Sequence, residues 1–439
     1  MLQNIIAGLQ GIIDHAMVGH FVGYTGNAAI GVSWQIIIVV IVFCTSVFTG
    51  MAVLVARFAG ANEPDKVNRV VYQAFLTAAG MAVVLGAAGW IAAPSLLDLV
   101  NAAPDVHAAA LPFLRTMFVG IIGLMMFFIL GGAFRAAGDP HTPLRLGIAM
   151  TVLTIVFNIV LIPAFGPVGA AYGTVASSSL VSVYGIWRVT RPESVIHFEP
   201  GMDLRPDFAV IRSLFKFGLP TGVQGIAMNV GGVLMLRFIG ALEHSAESQA
   251  AYTVGYSQLF SLITWTSVGL MGAAATIAGQ NLGAKNPDRA VEGVRVASHM
   301  GLGVAAVVGA MFLLVPRYLL AGFGMTDMLV IDIAETLLRY LAFSGFFITV
   351  ALSYTGGLQG TGDTRSPLYI SILSQVVIPI GICSVLGATT GLTAEWVWTA
   401  ILIGHMTRSG LSVARFRQQK WRSIEVDLTP SKRPASSSS

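Results

Sequence analysis

Charge is what this chain has least of. Asp, Glu, Lys and Arg make up 10% of its 439 residues, against roughly 25% in an ordinary soluble domain, so a water-exposed globular surface is excluded for most of its length. Cysteine is nearly absent as well. Cys44 and Cys383 lie in separate apolar runs, which rules out a disulfide framework or a cysteine metal centre and leaves them as packing residues. No Lys or Arg precedes Arg57, so the basic start of a cleavable signal peptide is missing. No Gly-rich loop is followed by Lys and Ser or Thr, as a nucleotide phosphate cradle requires. His, Asp and Ser are scattered through the apolar runs, His299 and Asp14 among them, which argues against a membrane-embedded enzyme.

Apolar residues fill the space that charge leaves. They form 55% of the chain, mean hydropathy is +0.76 and glycine numbers 49. Small residues let membrane helices approach closely. A helix of about 20 apolar residues crosses roughly 30 Å of hydrocarbon. Twelve runs reach that length: 2–22, 29–55, 70–96, 111–134, 144–163, 168–187, 216–239, 251–278, 295–320, 335–358, 367–387 and 392–412. The expected fold class is therefore all-α integral membrane, with about twelve transmembrane helices.

Basic residues orient these helices, because short cytoplasmic loops are enriched in Lys and Arg. Of the 25 Lys and Arg, 21 fall after even-numbered runs or in the C-terminal tail, and only Arg115, Arg237, Arg317 and Arg339 fall near the opposite ends. Both termini are thus expected in the cytoplasm, with the chain multi-pass. The formal charge of +4 reads as topology, and no nucleic-acid partner is expected.

The chain also repeats itself. FAGANEPDKV at 58–67 matches NLGAKNPDRA at 281–290, which sets Gly60 against Gly283 at an offset of 223. GGAFRAAGDPHTP at 131–143 matches GGLQGTGDTRSP at 356–367, which sets Asp139 against Asp363 at an offset of 224. LQGI at 9–12 resembles VQGI at 223–226. Two copies of six runs share one orientation, so an axis along the membrane normal should relate them. The expected organisation is an N-terminal lobe over 1–187, a cytoplasmic linker over 188–215, a C-terminal lobe over 216–412 and a disordered tail over 413–439. Gly138-Asp139 and Gly362-Asp363 read as helix-end turns: Gly permits positive φ, Asp caps the next helix, and Pro143 and Pro367 fit its first turn.

The first run, LQNIIAGLQGIIDHAMVGHFV, carries Asp14 near its middle. An ionised Asp at a helix centre costs about 2.5 to 3.5 kcal/mol on insertion scales, so it should face the protein interior or a wet cavity. The plainer reading is that His15 or a neighbouring helix satisfies it structurally.

Seven motifs in order carry a resemblance: GIIDHAMVGHFVG at 11–23, AGANEPDKV at 59–67, GGAFRAAGDPHTP at 131–143, FNIVLIPAFGPVGAAYGT at 157–174, FGLP at 217–220, GLMGAAATIAGQNLGAKNPD at 269–288 and GLQGTGD at 357–363. Together they resemble the multidrug and toxic compound extrusion (MATE) family, nearest its branch related to the DNA-damage-inducible protein F. The resemblance implies a V-shaped pair of pseudo-symmetric six-helix bundles that exchange drug outward for inward protons or sodium. It also implies roles for residues. Asp14 matches the family's cation-coupling acid of the first span, and Gln10 lies one turn before it on the same face. Asn158 matches a fifth-span Asn that faces this acid, and Thr174 a sixth-span polar residue of the same cavity. Each of these three could instead simply bond a neighbouring helix. Ile162 replaces a second acid common in the branch, and Met228 and Ile348 stand near where the other main branch carries C-lobe acids. The polar segment and Pro that usually open the family's first span are missing, which leaves two readings of the start: truncated, or misassigned.

A dehydrated sodium ion needs several oxygens, which Asp14, Gln10, Asn158 and Thr174 could share. A proton needs only Asp14, and proton coupling is the preferred reading. The resulting expectation is a monomeric secondary antiporter, with no enzymatic activity, that exports amphipathic or cationic small molecules. Its energy comes from the proton-motive force, with sodium the less favoured ion and no metal or other cofactor. Candidate cavity residues are Trp34, Met228, Met235, Tyr256, Phe260 and Trp265. The alternative is a flippase for lipid-linked precursors, which should carry several basic residues within its lobes.

Overall fold

The computed structural model describes residues 26, 29–38, 40–42, 46–100, 103–198, 201–389 and 391–426. The expected first run, 2–22, lies outside the described residues, and so do Asp14, Gln10 and Cys44. The described chain is helical from end to end, as its near-continuous apolar runs require. In hydrocarbon every backbone N–H and C=O must find a partner within the protein, and a helix supplies those partners locally.

The elements are α1 (Ala29–Gly60), α2 (Pro64–Leu99), α3 (Pro104–Val119), α4 (Ile121–Ala136), α5 (His141–Phe165), α6 (Pro167–Val189) and α7 (Phe208–Ile239). There follow α8 (Ser245–Tyr252), a wide π-type stretch Thr253–Leu259, and α9 (Ser261–Gly283). Next come α10 (Pro287–Leu314), α11 (Pro316–Ala321), α12 (Met328–Gly360), α13 (Arg365–Ile372), a second π-type stretch Leu373–Val377, α14 (Ile378–Thr389) and α15 (Ala394–Arg417). Among the described residues eight helices are long and apolar enough to span a membrane, or nine if α3 and α4 are one span bent by 51°. That bend falls at Gly120, inside the run 111–134.

Two helices, α6 and α15, have the length of a span but are more polar, and packing explains why they can be. α6 is wedged among α3, α4 and α5. There Ser177 Oγ lies 2.7 Å from Thr154 Oγ1, and Ser182 Oγ donates to the Gly123 carbonyl at 2.8 Å. α15 is held by α12 and α14. The polar side chains of α6 are thus bonded inside the bundle, and those of α15 at His405, Arg408 and Ser409 are buried in it.

Two boundaries differ from expectation. α7 begins at Phe208, inside the segment read as a linker, because Asp207 caps it by accepting from the amides of Ala209 and Val210. The rest of that segment is docked on α2. Tyr72 Oη donates to the Leu204 carbonyl at 3.0 Å, Gln73 Nε2 to the Arg205 carbonyl at 2.8 Å, and Arg69 pairs with Asp207. The tail expected to be disordered from residue 413 is instead helical to Arg417. Beyond it Trp421 is 1% exposed and stacks on Phe416 at 4.9 Å.

Both repeated motifs adopt matched backbones. Asn62 and Lys285 share φ of 58° and 59°, and Gly138 and Gly362 share φ of 99° and 97°. The left-handed region is reached readily by glycine and seldom by other residues, so equal outliers at equal offsets mark one design used twice. Asp139 Oδ1 accepts from the amides of His141 and Thr142, and Asp363 Oδ1 accepts from the amide of Ser366. The helix-end reading of these turns therefore holds.

Candidate functional site

Where the first six helices face the rest, they enclose a cavity of about 670 Å³. Its wall is drawn from α1, α4, α5, α6, α7, α9 and α12 and is mainly apolar. Several of its residues are glycines: Gly131, Gly132, Gly147, Gly272 and Gly360 all line it. At Gly132 and Gly360 the missing Cβ admits close neighbours: a Cβ there would stand 1.8 Å from the Phe48 ring and 2.0 Å from the Ala275 carbonyl oxygen, respectively.

At the basic end the two halves touch. Gln280 Nε2 donates to the Ala136 carbonyl at 2.8 Å, and Arg57 donates to the Ile424 carbonyl at 2.6 Å. Along the α1–α7 crossing, Gly50, Gly218, Gly222 and Gly225 let the backbones meet. A Cβ on Gly218 would stand 1.7 Å from the Ser46 carbonyl oxygen, and one on Gly50 would stand 1.9 Å from that of Leu214.

Of the candidate residues, Trp34, Thr174 and Trp265 line the cavity. Met228, Met235, Tyr256 and Phe260 do not. Met235 and Phe260 are buried in the apolar core of the C-terminal half, where Phe260 is 0% exposed. Tyr256 packs on that core and stacks against Tyr252 at 4.9 Å, while Met228 is half-buried on α7. The side chains of Met235, Tyr256 and Phe260 pack in the core of the C-terminal helix bundle. Periodicity cannot tell that face from a ligand-bearing one.

Asn158 does not reach the cavity. It is 1% exposed on α5, and a Cβ on Gly173 of α6 would stand 2.1 Å from its Oδ1. Asn158 therefore sits beside Gly173-Thr174, one turn from the Thr154–Ser177 contact, in a polar seam between α5 and α6. Gln10 has a described counterpart in Gln224 of the repeated VQGI. Gln224 Nε2 donates to Ser371 Oγ at 2.8 Å, and its Oε1 accepts from Gln359 Nε2 at 3.3 Å.

The wall also holds residues that sequence reasoning did not single out. Arg135 was counted with the basic loops, yet it lies on the cavity wall with Thr151, Thr276 and Gln359. Its position on the GGAFRAAGD helix end was legible, but its direction was not. Among the described residues no group of three His, Cys, Asp or Glu side chains is placed to hold a metal.

Outside the membrane, two caps are strongly anionic. Burial pushes the Asp139 carboxyl up, but bonds from the Thr142 hydroxyl and the amides of Thr142 and His141 outweigh it and hold the group below its ordinary value. Asp207 is held low in the same way, burial being outweighed by Arg69 and by the amides of Val210 and Ala209.

Comparison with known proteins agrees with this architecture. A family model described as MatE matches residues 1–160 and 220–385. The multidrug resistance protein MdtK of Pectobacterium atrosepticum is 24% identical over 428 residues, covering 93% of this chain and 91% of its own. The multidrug export protein MepA of Staphylococcus aureus is 23% identical, covering 92% of this chain and 88% of its own. Among solved structures, an outward-facing multidrug resistance MATE family transporter of the MOP superfamily superposes with a TM-score of 0.89 at 19% identity, covering 97% of this chain and 95% of its own. The fold is the twelve-helix V of two six-helix bundles, and the chain belongs to the MatE family of membrane transporters.

Proposed function

We propose that the protein is a secondary antiporter that exports amphipathic or cationic small molecules in exchange for protons. The observation that carries this reading is the cavity of about 670 Å³ between the halves, mainly apolar and walled by Trp34 and Trp265. An apolar wall takes amphipathic molecules without demanding one shape, and an indole face attracts an organic cation. Relatives named as multidrug resistance and export proteins support export of such molecules.

Lobes over 1–187 and 216–412 would rock about the cavity, whose basic end is held shut by the Gln280–Ala136 and Arg57–Ile424 contacts. Coupling rests on Asp14, with Gln10 and Asn158 bonding its ionised form and Thr174 linking that site to the cavity wall. In the outward-open state a proton reaches Asp14 and releases the drug. In the inward-open state its loss restores the carboxylate. Both ligands bias one two-state element, which is the thermodynamic requirement for coupling. We place the protein as a monomer in the inner membrane with both termini in the cytoplasm.

The flippase alternative is weaker, since Arg135 is the one basic residue among the described cavity wall. The test is uptake of a fluorescent cation into inverted vesicles under an imposed proton gradient, then a sodium gradient. Uptake driven by the proton gradient alone is expected, and uptake driven only by sodium would replace the coupling ion.

A further inference from the structure

The C-terminal half holds a second polar cluster that the transport reading does not use. Arg408 and His405 stand three residues apart on one face of α15, and each is 2% exposed. Arg408 joins no ion pair among the described residues. Its Nε is buried with no hydrogen-bond partner, and so are Nδ1 and Nε2 of His405. Tyr256 lies within electrostatic reach of the guanidinium, and the Phe260 ring stands edge-on to His405 at 5.8 Å.

Two more unpartnered polar groups lie on the elements packed against α15. Gln375 Nε2 is also buried without a partner, and it lies 3.5 Å from where a Cβ on Gly404, the neighbour of His405, would stand. Ser344 Oγ on α12 is buried and unpartnered too. Thr399 of α15 donates to Tyr340 of α12 at 3.4 Å. α12 and α15 both run toward the basic end, so Ser344, one turn beyond Tyr340, comes level with the turn that carries His405. Tyr256 and Gln375 each belong to one of the two π-type stretches, Thr253–Leu259 and Leu373–Val377. Such widened turns are frequent at functional sites.

The chemistry of the cluster selects its ligand. A guanidinium in a helix bundle needs a counter-charge, since an uncompensated buried charge is strongly unfavourable. Among the described residues no carboxylate pairs with it, and a phenol supplies no ordinary counter-charge. The unpartnered groups of Arg408 and Gln375 are N–H donors, His405 has at least one more, and Ser344 can donate its hydroxyl proton. A metal or organic cation would meet Arg408 with like charge. An apolar filler would leave every donor unsatisfied.

We infer that Arg408, His405, Gln375 and Ser344 form a binding site for a small monovalent anion of the chloride class within the C-terminal lobe. None of these residues lines the interlobe cavity, so the site is separate from drug binding. The bound ion neutralises Arg408 and ties α15 to α12 and to the Leu373–Val377 stretch. It braces the lobe and takes no part in the exchange reaction.

The test uses the purified full-length protein in detergent. Thermal unfolding is followed while chloride replaces gluconate at constant ionic strength. A saturable upward shift in Tm is expected, and it should be lost in Arg408→Gln and reduced in Gln375→Leu. A Tm indifferent to the replacement in the unmodified protein would overturn the site and leave the cluster holding water only. A chloride shift retained in full by Arg408→Gln would overturn it as well. Should Arg408→Gln fail to fold, crystals of the unmodified protein soaked in bromide decide the matter: an anomalous peak beside Arg408 is expected, and its absence contradicts the proposal. Neither result bears on proton coupling at Asp14, which is measured separately by transport.

Discussion

Gly60 and Gly283 interlock across the two halves of the molecule. A Cβ on Gly60 would stand 1.9 Å from the Gln280 carbonyl oxygen, and a Cβ on Gly283 would stand 2.1 Å from the carbonyl oxygen of Arg57. Arg57 and Gln280 occupy matched positions, three residues before Gly60 and Gly283. Each repeat thus offers its glycine to the backbone of the other, as a near-twofold relation about the membrane normal requires.

Substitution at either glycine should therefore wedge the basic end apart. Overpacking of a tight contact typically costs about 1 to 3 kcal/mol. Gly60→Val and Gly283→Val are both expected to lower Tm. The two variants should lose similar amounts of stability, and their combination should cost less than the sum because they open one contact. A Tm unchanged in either would mean that the halves do not meet there.

The repeated Asp caps differ in their partners, and the difference is measurable. Asp363 is 6% exposed and accepts from Arg415 Nε at 2.9 Å and Nη2 at 2.8 Å. Asp139 caps His141 and Thr142 alone. Asp139→Ala should cost about 1 kcal/mol, the usual loss of a cap. Asp363→Ala also strands Arg415 and should cost about 2 to 3 kcal/mol, below the full value for a buried pair because Arg415 is 29% exposed. The pH dependence has a definite sign. Asp139 has a folded pKa below its ordinary value of 3.8, so its stabilisation is present above that value and is lost as pH falls through the lowered folded pKa. The stability difference between Asp139→Ala and the unmodified protein should therefore shrink as pH falls below 3.8, and a difference that stays constant or grows in acid would contradict this.

How much of this was legible in the sequence varies with what each residue signals. Span positions were readable because apolar length is forced by the bilayer, and α5, α10 and α12 fall on their runs. The pairing of Asn62 with Lys285 was readable through the motif offset alone. The bend at Gly120 was not, since a glycine inside an apolar run carries no direction. The cavity was the least legible part. Its wall includes Gly131, Gly132, Gly272 and Gly360, whereas sequence reasoning looks for large side chains and so selected Met235 and Phe260, which fill the core. The π-type stretches at Tyr256 and Gln375 arise from packing and leave no local pattern.

Cavity contacts should appear in transport kinetics. Trp265 is a half-exposed ring on the cavity wall, so Trp265→Ala removes surface from the bound drug alone. A loss of about 1.4 kcal/mol corresponds to a tenfold weaker apparent affinity. KM for an amphipathic cation is expected to rise by roughly that factor with maximal rate little changed, whereas Phe260→Ala should lower Tm and leave KM near its original value. The reverse pattern would remove Trp265 from the binding wall.

Orientation can be read by labelling. Single cysteines at positions 66, 203 and 285, in a background lacking Cys44 and Cys383, should resist a membrane-impermeant thiol reagent in intact cells and react after permeabilisation, because 21 of 25 basic residues lie on that side. Reaction from outside at any of the three would invert the topology.

Coupling at Asp14 is the central claim, and one substitution addresses it most directly. Asp14→Asn keeps the side chain's size and removes its ability to ionise. Purified Asp14→Asn protein, reconstituted beside the unmodified protein, should keep its Tm and still bind a fluorescent cation, yet show no cation movement driven by an imposed proton gradient. If the substituted protein moves the cation at the unmodified rate under the same gradient, the carboxylate is structural and proton coupling does not pass through it.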